Sequence, residues 1–373
     1  MATDKPLVVI DETLREGMQF HGLVFTLDQR IKILEFQEAL GVGVSQTGYP
    51  SALAGEAEIV KALADHARAR NFSIRTAALG RTVASDARIL IDTGVDDPHF
   101  HIHLTPDTSP EALLQGLESA CALFDMVMAE RPKARVSLAM LNMARTDPLM
   151  LNQCIDIMDR CPGLAILSLP DTSGIMAPNT VRNFIANAAK KTTRLTLAAH
   201  CHNDMGMASA NSLMGIIGGA KVLEVSALGI GERNGIADLY TTARLLEDQG
   251  YTTGLDLDNI DGFKSYYAFV TDIVRKQTGI NLMDYRCPVF GNAVKTHVAG
   301  THAGGGFGTA PEEEFFLSLL CGKHLVKKYL AAHGIVHNQA DLSRITREVK
   351  ETSLNRGRAL HVEEVRAIAE GHN

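Results

Sequence analysis

Short apolar runs alternate along this chain with longer stretches whose apolar positions recur every three to four residues. Residues 7–10, Leu-Val-Val-Ile, are the first apolar run. A helical stretch follows over 26–40, with Ile31, Ile33, Leu34, Phe36 and Leu40 apolar and Thr26 at a capping position. Strand-like segments recur at 42–47, 73–78, 99–104, 134–140, 164–169, 195–200 and 222–226. Helical patterns recur at 55–70, 84–93, 111–130, 148–160, 179–190, 207–219 and 239–249. Strand-then-helix alternation predicts parallel strands with right-handed crossovers. Eight units favour closure into a barrel over an open doubly wound sheet. The expected class is therefore α/β, a (β/α)8 TIM barrel over residues 1–255. Beyond 255 the rhythm changes to a helical pattern at 263–277, a Gly- and His-rich stretch at 291–308, and helices only over 312–369. Residues 256–373 are expected to form a C-terminal linker and helical subdomain.

The 373 residues accommodate a barrel of about 250 residues plus this appendage. Net charge is −7 with no basic block, which argues against nucleic acid or an anionic membrane as partner. Six scattered cysteines show no CxxC and no zinc-ribbon spacing, as expected of reduced thiols. With no apolar run near the ~20 residues of a membrane span and no room for a leader before residue 7, the expected location is cytoplasmic.

In such a barrel the reactive groups sit at the C-terminal ends of strands. The seventh strand runs into His200-Cys-His-Asn-Asp-Met-Gly206. Alternation along an extended segment puts His200 and His202 on one side and Cys201 on the other. Two imidazoles so placed can share one metal ion, or be structural histidines at the rim. The first strand ends Asp11-Glu-Thr-Leu-Arg-Glu-Gly17, placing acids beside Arg15. An acid there can hold a cation while the guanidinium receives carboxylate or enolate charge. Asp171-Thr-Ser-Gly174 places the Thr172 hydroxyl where it could meet a substrate carboxylate. Gly229-Ile-Gly-Glu-Arg-Asn-Gly235 fits neither GxGxxG nor a Walker loop, which argues against a nucleotide there.

Together the runs at 11–17, 200–207 and 228–235 resemble the DRE-TIM metallolyases, which include homocitrate synthase, 2-isopropylmalate synthase, citramalate synthase and HMG-CoA lyase. The wording Leu-Arg-Glu-Gly and Gly-Glu-Arg-Asn-Gly-Ile is most similar to the homocitrate synthase branch. The segments 48–50, 169–174, 288–302 and 342–369 extend the resemblance over nearly the whole chain. It implies Glu16, His200 and His202 as ligands of a divalent metal (Mg2+, Mn2+ or Zn2+), with Asp11 supporting. It implies Arg15 as stabiliser of enolate charge and Thr172 as partner of a 2-oxo acid carboxylate. His302 would be an acid/base group contributed by a domain-swapped neighbour, hence a homodimer. Glu232 is a further catalytic candidate, and Gln46, Arg81, His103 and Asn142 are candidate substrate contacts. The implied activity is transfer of an acyl group from acyl-CoA to a 2-oxo acid, converted into an alkyl group on transfer, by Claisen-type condensation and thioester hydrolysis. The alternative is a metal-dependent C–C lyase of the HMG-CoA lyase kind; a barrel that has lost catalysis is a third reading.

Two departures bear on the substrate. Synthases of this kind usually end the fifth strand with Ser-x-Glu-Asp, whereas this chain reads Val136-Ser-Leu-Ala-Met-Leu-Asn142 and has no acid there. Their second-strand glutamate is matched by Gln46, which keeps hydrogen bonding and removes a charge. Both changes predict a less acidic site. His99, His101 and His103 alternate on the fourth strand and share one face, where they could line a pocket for an anion or simply pack. A regulatory domain like that of long isopropylmalate synthases is not expected in so short a tail.

Overall fold

The computed structural model describes residues 6–103, 109–142, 147–298 and 314–371. Eight parallel strands close into a barrel in sequence order: β1 (Val8–Asp11), β2 (Val44–Gln46), β3 (Arg75–Arg81), β4 (Asp97–His103), β5 (Ser137–Leu141), β6 (Ile166–Ser168), β7 (Thr196–Ala199) and β8 (Val222–Val225), the last pairing with β1. The connecting helices are α1 (Leu27–Ala39), α2 (Ala54–Ala69), α3 (Ala84–Thr93), α4 (Pro110–Glu130), α5 (Pro148–Asp159), α6 (Pro178–Ala189), α7 (Ala208–Ile217) and α8 (Leu239–Asp248). The chain is a (β/α)8 barrel. Thr26 caps α1 through a reciprocal pair with Gln29, and Asp238 caps α8 by accepting from the Thr241 amide.

Inside the barrel, Ile10, Val44, Ala77, Ile166, Ala198 and Val222 form one apolar layer. Nearer the N-terminal ends, buried Asp97 accepts from Arg75 Nε at 2.8 Å, from Arg135 Nη2 at 2.8 Å and from the Arg135 amide at 2.8 Å. Burial opposes its charge, but the two guanidiniums outweigh it and hold the carboxyl below its ordinary value. Asp97→Asn is expected to cost about 3 kcal/mol, because it strips the shared counter-charge from two arginines. Since the folded pKa lies below the unfolded one, this contribution is complete near neutrality and is lost as pH falls through the folded value. Denaturant melts of wild type and variant at pH 7 and pH 3 check it: the gap should narrow at the lower pH.

The helix α9 (Ile260–Thr278) lies beyond the expected boundary at residue 255, yet it belongs to the compact unit Met1–Leu282. Its Tyr266 hydroxyl donates to Asp11 Oδ2 at 2.9 Å, and Phe36 of α1 stacks on the Tyr266 ring. By length and composition, α4 could cross a membrane. Here its Leu117, Ala120, Phe124 and Val127 are buried, with Phe124 packed on Phe100 of β4.

Residues 283–373 form a second unit. It contains α10 (Lys323–Ala332), α11 (Leu342–Arg356) and α12 (Val362–Glu370), packed around Leu325, Leu330, Ile345, Val349 and Val365. The tail is not helical throughout. The two-residue strand β10 (Glu314–Phe315) pairs in parallel with β9 (Thr296–His297).

Candidate active site

A cavity of about 620 Å³ opens among the C-terminal strand ends. It is lined by Arg15, Glu16, Gln46, Thr172, His200, His202 and Glu232 among the sequence candidates. Glu12, His99, His101, Ser168 and Glu224 join them.

Strand parity explains who faces in. From Ile10 in the inner layer the next inward position is Glu12. Asp11 turns the other way, where Oδ1 accepts from the Thr13 amide at 2.8 Å and its hydroxyl at 2.6 Å. Just past β7 the same rule buries Cys201 outside the cavity, where burial pushes its thiol up to about 12. His200 and His202 bring their Nε2 atoms to 3.4 Å from each other. Two imidazole nitrogens bound to one tetrahedral ion at ~2.1 Å stand about 3.4 Å apart.

The other edge of His200 is equally organised. Its Nδ1 lies 3.3 Å from a carboxylate oxygen of Glu12 and 3.3 Å from one of Glu224. Burial opposes a charged ring, yet these two carboxylates prevail and raise His200 to about 10. Burial and the neighbouring His200 push His202 down to about 4. Glu12 also receives Arg15 Nη2 at 2.5 Å, and Ser168 donates to Glu224 at 2.8 Å. Among the described residues, Glu12, His200 and Glu224 also make a set of possible ligand atoms within 4.8 Å of one another. Both carboxylates lie on the Nδ1 edge of His200, away from the Nε2 pair. They fit better as groups that orient His200 through Nδ1 while Nε2 is left for a ligand role. Gln46 lines the cavity and β5 brings no acid to it, and the acids beside His200 come instead from the first and last strands. Glu12, Glu16 and Glu224 stand there against Arg15 and the raised His200, an acidic set that would attract a divalent cation.

Arg15 is the hub. It donates to Glu12, to Glu16 and, through Nε, to Gln46 Oε1. Glu16 also accepts from the Glu232 amide at 3.2 Å, tying the first strand end to the last. Because Arg15 Nε can only donate, the Gln46 amide orientation is set, and its NH2 faces His99 Nδ1 at 2.8 Å. His99 must accept there, so its ring proton sits on Nε2. Burial lowers the pKa of both His99 and His101, which favours neutral rings.

Three expected substrate contacts stand off the cavity wall. Arg81 is spent on Asp86 through two bonds of 2.9 Å, and His103 pairs with Asn142 Nδ2 at 2.9 Å. The Asn142 backbone amide, rather than its side chain, reaches the site by donating to the Thr172 hydroxyl at 3.0 Å. His302 lies outside the described residues. Glu12 and Glu224 were missed although parity signals both. Each falls on an inward position of its strand, and buried acids in a barrel interior need a cationic partner.

The family profile described as HMGL-like matches residues 7–265. The chain belongs to the HMGL-like family. This match spans the whole barrel and the start of α9. A 2-isopropylmalate synthase of Sulfurisphaera tokodaii is 29% identical, over 98% of this chain and 95% of its own. A probable 2-isopropylmalate synthase of Methanosarcina acetivorans is 29% identical over 98% of this chain and 72% of its own. The homocitrate synthase AksA of Methanosarcina mazei is 29% identical over 88% and 80% respectively. Among solved structures, the HMG-CoA lyase of Brucella melitensis superimposes with a TM-score of 0.60. It is 18% identical and covers 73% of this chain and 99% of the lyase, a likeness of fold.

Proposed function

We propose that this HMGL-like protein is a divalent-metal-dependent acyltransferase that condenses an acyl-CoA with a 2-oxo acid and hydrolyses the thioester. The carrying observation is the pair of Nε2 atoms 3.4 Å apart, in one cavity with Glu16 and Arg15. The synthase names of its relatives support the reaction class. In this reading His200, His202 and Glu16 hold the metal, with Glu12 and Glu224 orienting His200. When bound, the ion supplies Lewis acidity toward the carbonyl of the 2-oxo acid.

The chain's own groups supply the rest. Thr172, its hydroxyl already accepting from the Asn142 amide, has its proton free to donate to the substrate carboxylate. Arg15 is held from three sides by Glu12, Glu16 and Gln46, so its guanidinium is preorganised where oxyanion charge develops. Glu232 lines the cavity mouth with a half-exposed carboxylate, suited to exchanging protons with solvent. His302 from a second copy is the proposed acid/base group, making a homodimer the working assembly.

Mixing the metal-loaded protein with acetyl-CoA and a panel of 2-oxo acids is expected to release free CoA thiol only when both substrates are present. Release of a 2-oxo acid from a 3-hydroxy acid thioester, with no condensation in any pairing, would replace this reading with the lyase.

A further inference from the structure

Condensation requires a group that takes a proton from the carbon beside the thioester carbonyl. Most basic side chains in the cavity lining are already committed. Glu12 and Glu224 face the Nδ1 edge of His200, and Glu16 accepts from Arg15 and from the Glu232 amide. Glu56 receives both terminal nitrogens of Arg30, at 2.7 and 2.8 Å. Glu232 is half-exposed at the mouth, with Arg233 Nη1 at 3.5 Å. His99 accepts from Gln46 through Nδ1, so its Nε2 carries the proton and can only donate. On β5 the wall offers Ser137, Ala139 and Leu141, none of them a base. His101 differs from all of these. It lines the cavity directly across the ladder from Ala139, and the Tyr49 ring lies 6.1 Å from its own. Its Nδ1 is buried without a hydrogen-bond partner among the described residues.

From this placement we propose that His101 is the general base that removes the α-proton of the acyl-CoA thioester. The proposal rests on the condensation reading and assigns one of its steps to a residue. A lone pair of the neutral imidazole takes the proton, and the electron pair of the broken C–H bond passes into the thioester enolate. The ring becomes imidazolium. The enolate carbon then forms the new bond to the keto carbon of the 2-oxo acid, whose oxygen takes up a proton. The imidazolium returns its proton to solvent before the next turnover. His302 of a second copy is left the later protonation and the hydrolysis of the thioester. The surroundings keep His101 in the form a base needs. Burial, then the Arg15 guanidinium, hold its pKa below the ordinary imidazole value; His103 and Arg81 act in the same direction, and Asp86 opposes them. Tyr49 adds a phenol from the loop after β2. The ring is therefore neutral near pH 7, with a lone pair to offer.

The test gives acetyl-CoA deuterated in its methyl group to the protein at saturating Mn2+, alone and with each 2-oxo acid. Mass spectrometry follows loss of deuterium to solvent, and thiol trapping follows CoA release. His101→Gln keeps a hydrogen-bonding side chain and removes the base, while His101→Ala opens room for added imidazole. Each is expected to cut the wild-type rate at least about 100-fold, the usual contribution of a general base, with 2-oxo acid binding by calorimetry unchanged. Imidazole should restore part of the rate to His101→Ala. The wild-type rate should fall on the acid side of neutrality as His101 becomes protonated, below the ordinary imidazole value, and this limb should be missing from His101→Gln. Circular dichroism and metal content identify which variants remain folded and loaded. A smaller loss of rate in either such variant overturns the proposal, and so does a loss that tracks weakened 2-oxo acid binding. A wild-type profile without the acid limb overturns it even if neither variant folds. Deuterium loss without CoA release in any pairing sinks the condensation reading alone, and a wild type that shows neither sinks both.

Discussion

His202→Ala is expected to leave the protein folded and without tightly held metal, with turnover reduced to background. The reason lies in what each imidazole edge touches. His202 offers Nε2 toward His200, while its Nδ1 has no hydrogen-bond partner among the described residues. Little structural work falls on that ring beyond the ligand role. Glu16→Ala should behave similarly, with some cost in stability because Glu16 also bridges Arg15 and the Glu232 amide. Glu224→Gln is the informative contrast. It leaves every proposed ligand in place and removes only a carboxylate beside Nδ1, so metal affinity should fall about 10- to 100-fold rather than vanish. Metal analysis after gel filtration, followed by titration with Mn2+ or Zn2+, separates the two behaviours. Abolition of binding by Glu224→Gln with retention in His202→Ala would move the ion to the Glu12, His200 and Glu224 side.

Arg15→Ala carries the second large effect. Turnover should fall about 10²- to 10³-fold, the usual consequence of deleting a preorganised oxyanion donor. Metal should stay bound. Removing the guanidinium leaves Glu12, Glu16 and Glu224 without their nearest permanent cation, which strengthens the attraction for a divalent ion. Arg15→Lys should recover little, because one ammonium cannot serve Glu12, Glu16 and Gln46 from three directions. Steady-state kinetics with metal content measured on the same samples checks this. A loss of turnover that tracks loss of metal would assign Arg15 to cation binding instead.

How much of the site could be read without coordinates depended on distance along the chain. The barrel was legible because each β/α unit is written locally, in the period of its apolar positions and in caps such as Thr26 and Asp238. The convergence of His200 and His202 was legible because both lie on one extended segment. For Asp11 the resemblance implied only a supporting role, and the structure showed Tyr266 and Thr13 closing around it.

Other features were decided across the barrel. Glu12 and Glu224 lie more than two hundred residues apart and meet at one imidazole edge only because β8 closes onto β1. That closure brings to one imidazole two acids that neither strand shows alone. Gln46 reads as a lost charge in sequence. In the fold it receives Arg15 and fixes the proton of His99. Arg81 and His103 looked available because their partners, Asp86 and Asn142, are chosen by local turns and neighbouring strands rather than by strand parity. Sequence thus determined the barrel and the direction in which each strand-end side chain faces, since both follow from local periodicity. Tertiary structure alone determined which of those side chains are already paired, because hydrogen bonds and ion pairs are made between strands that the chain brings together only on folding.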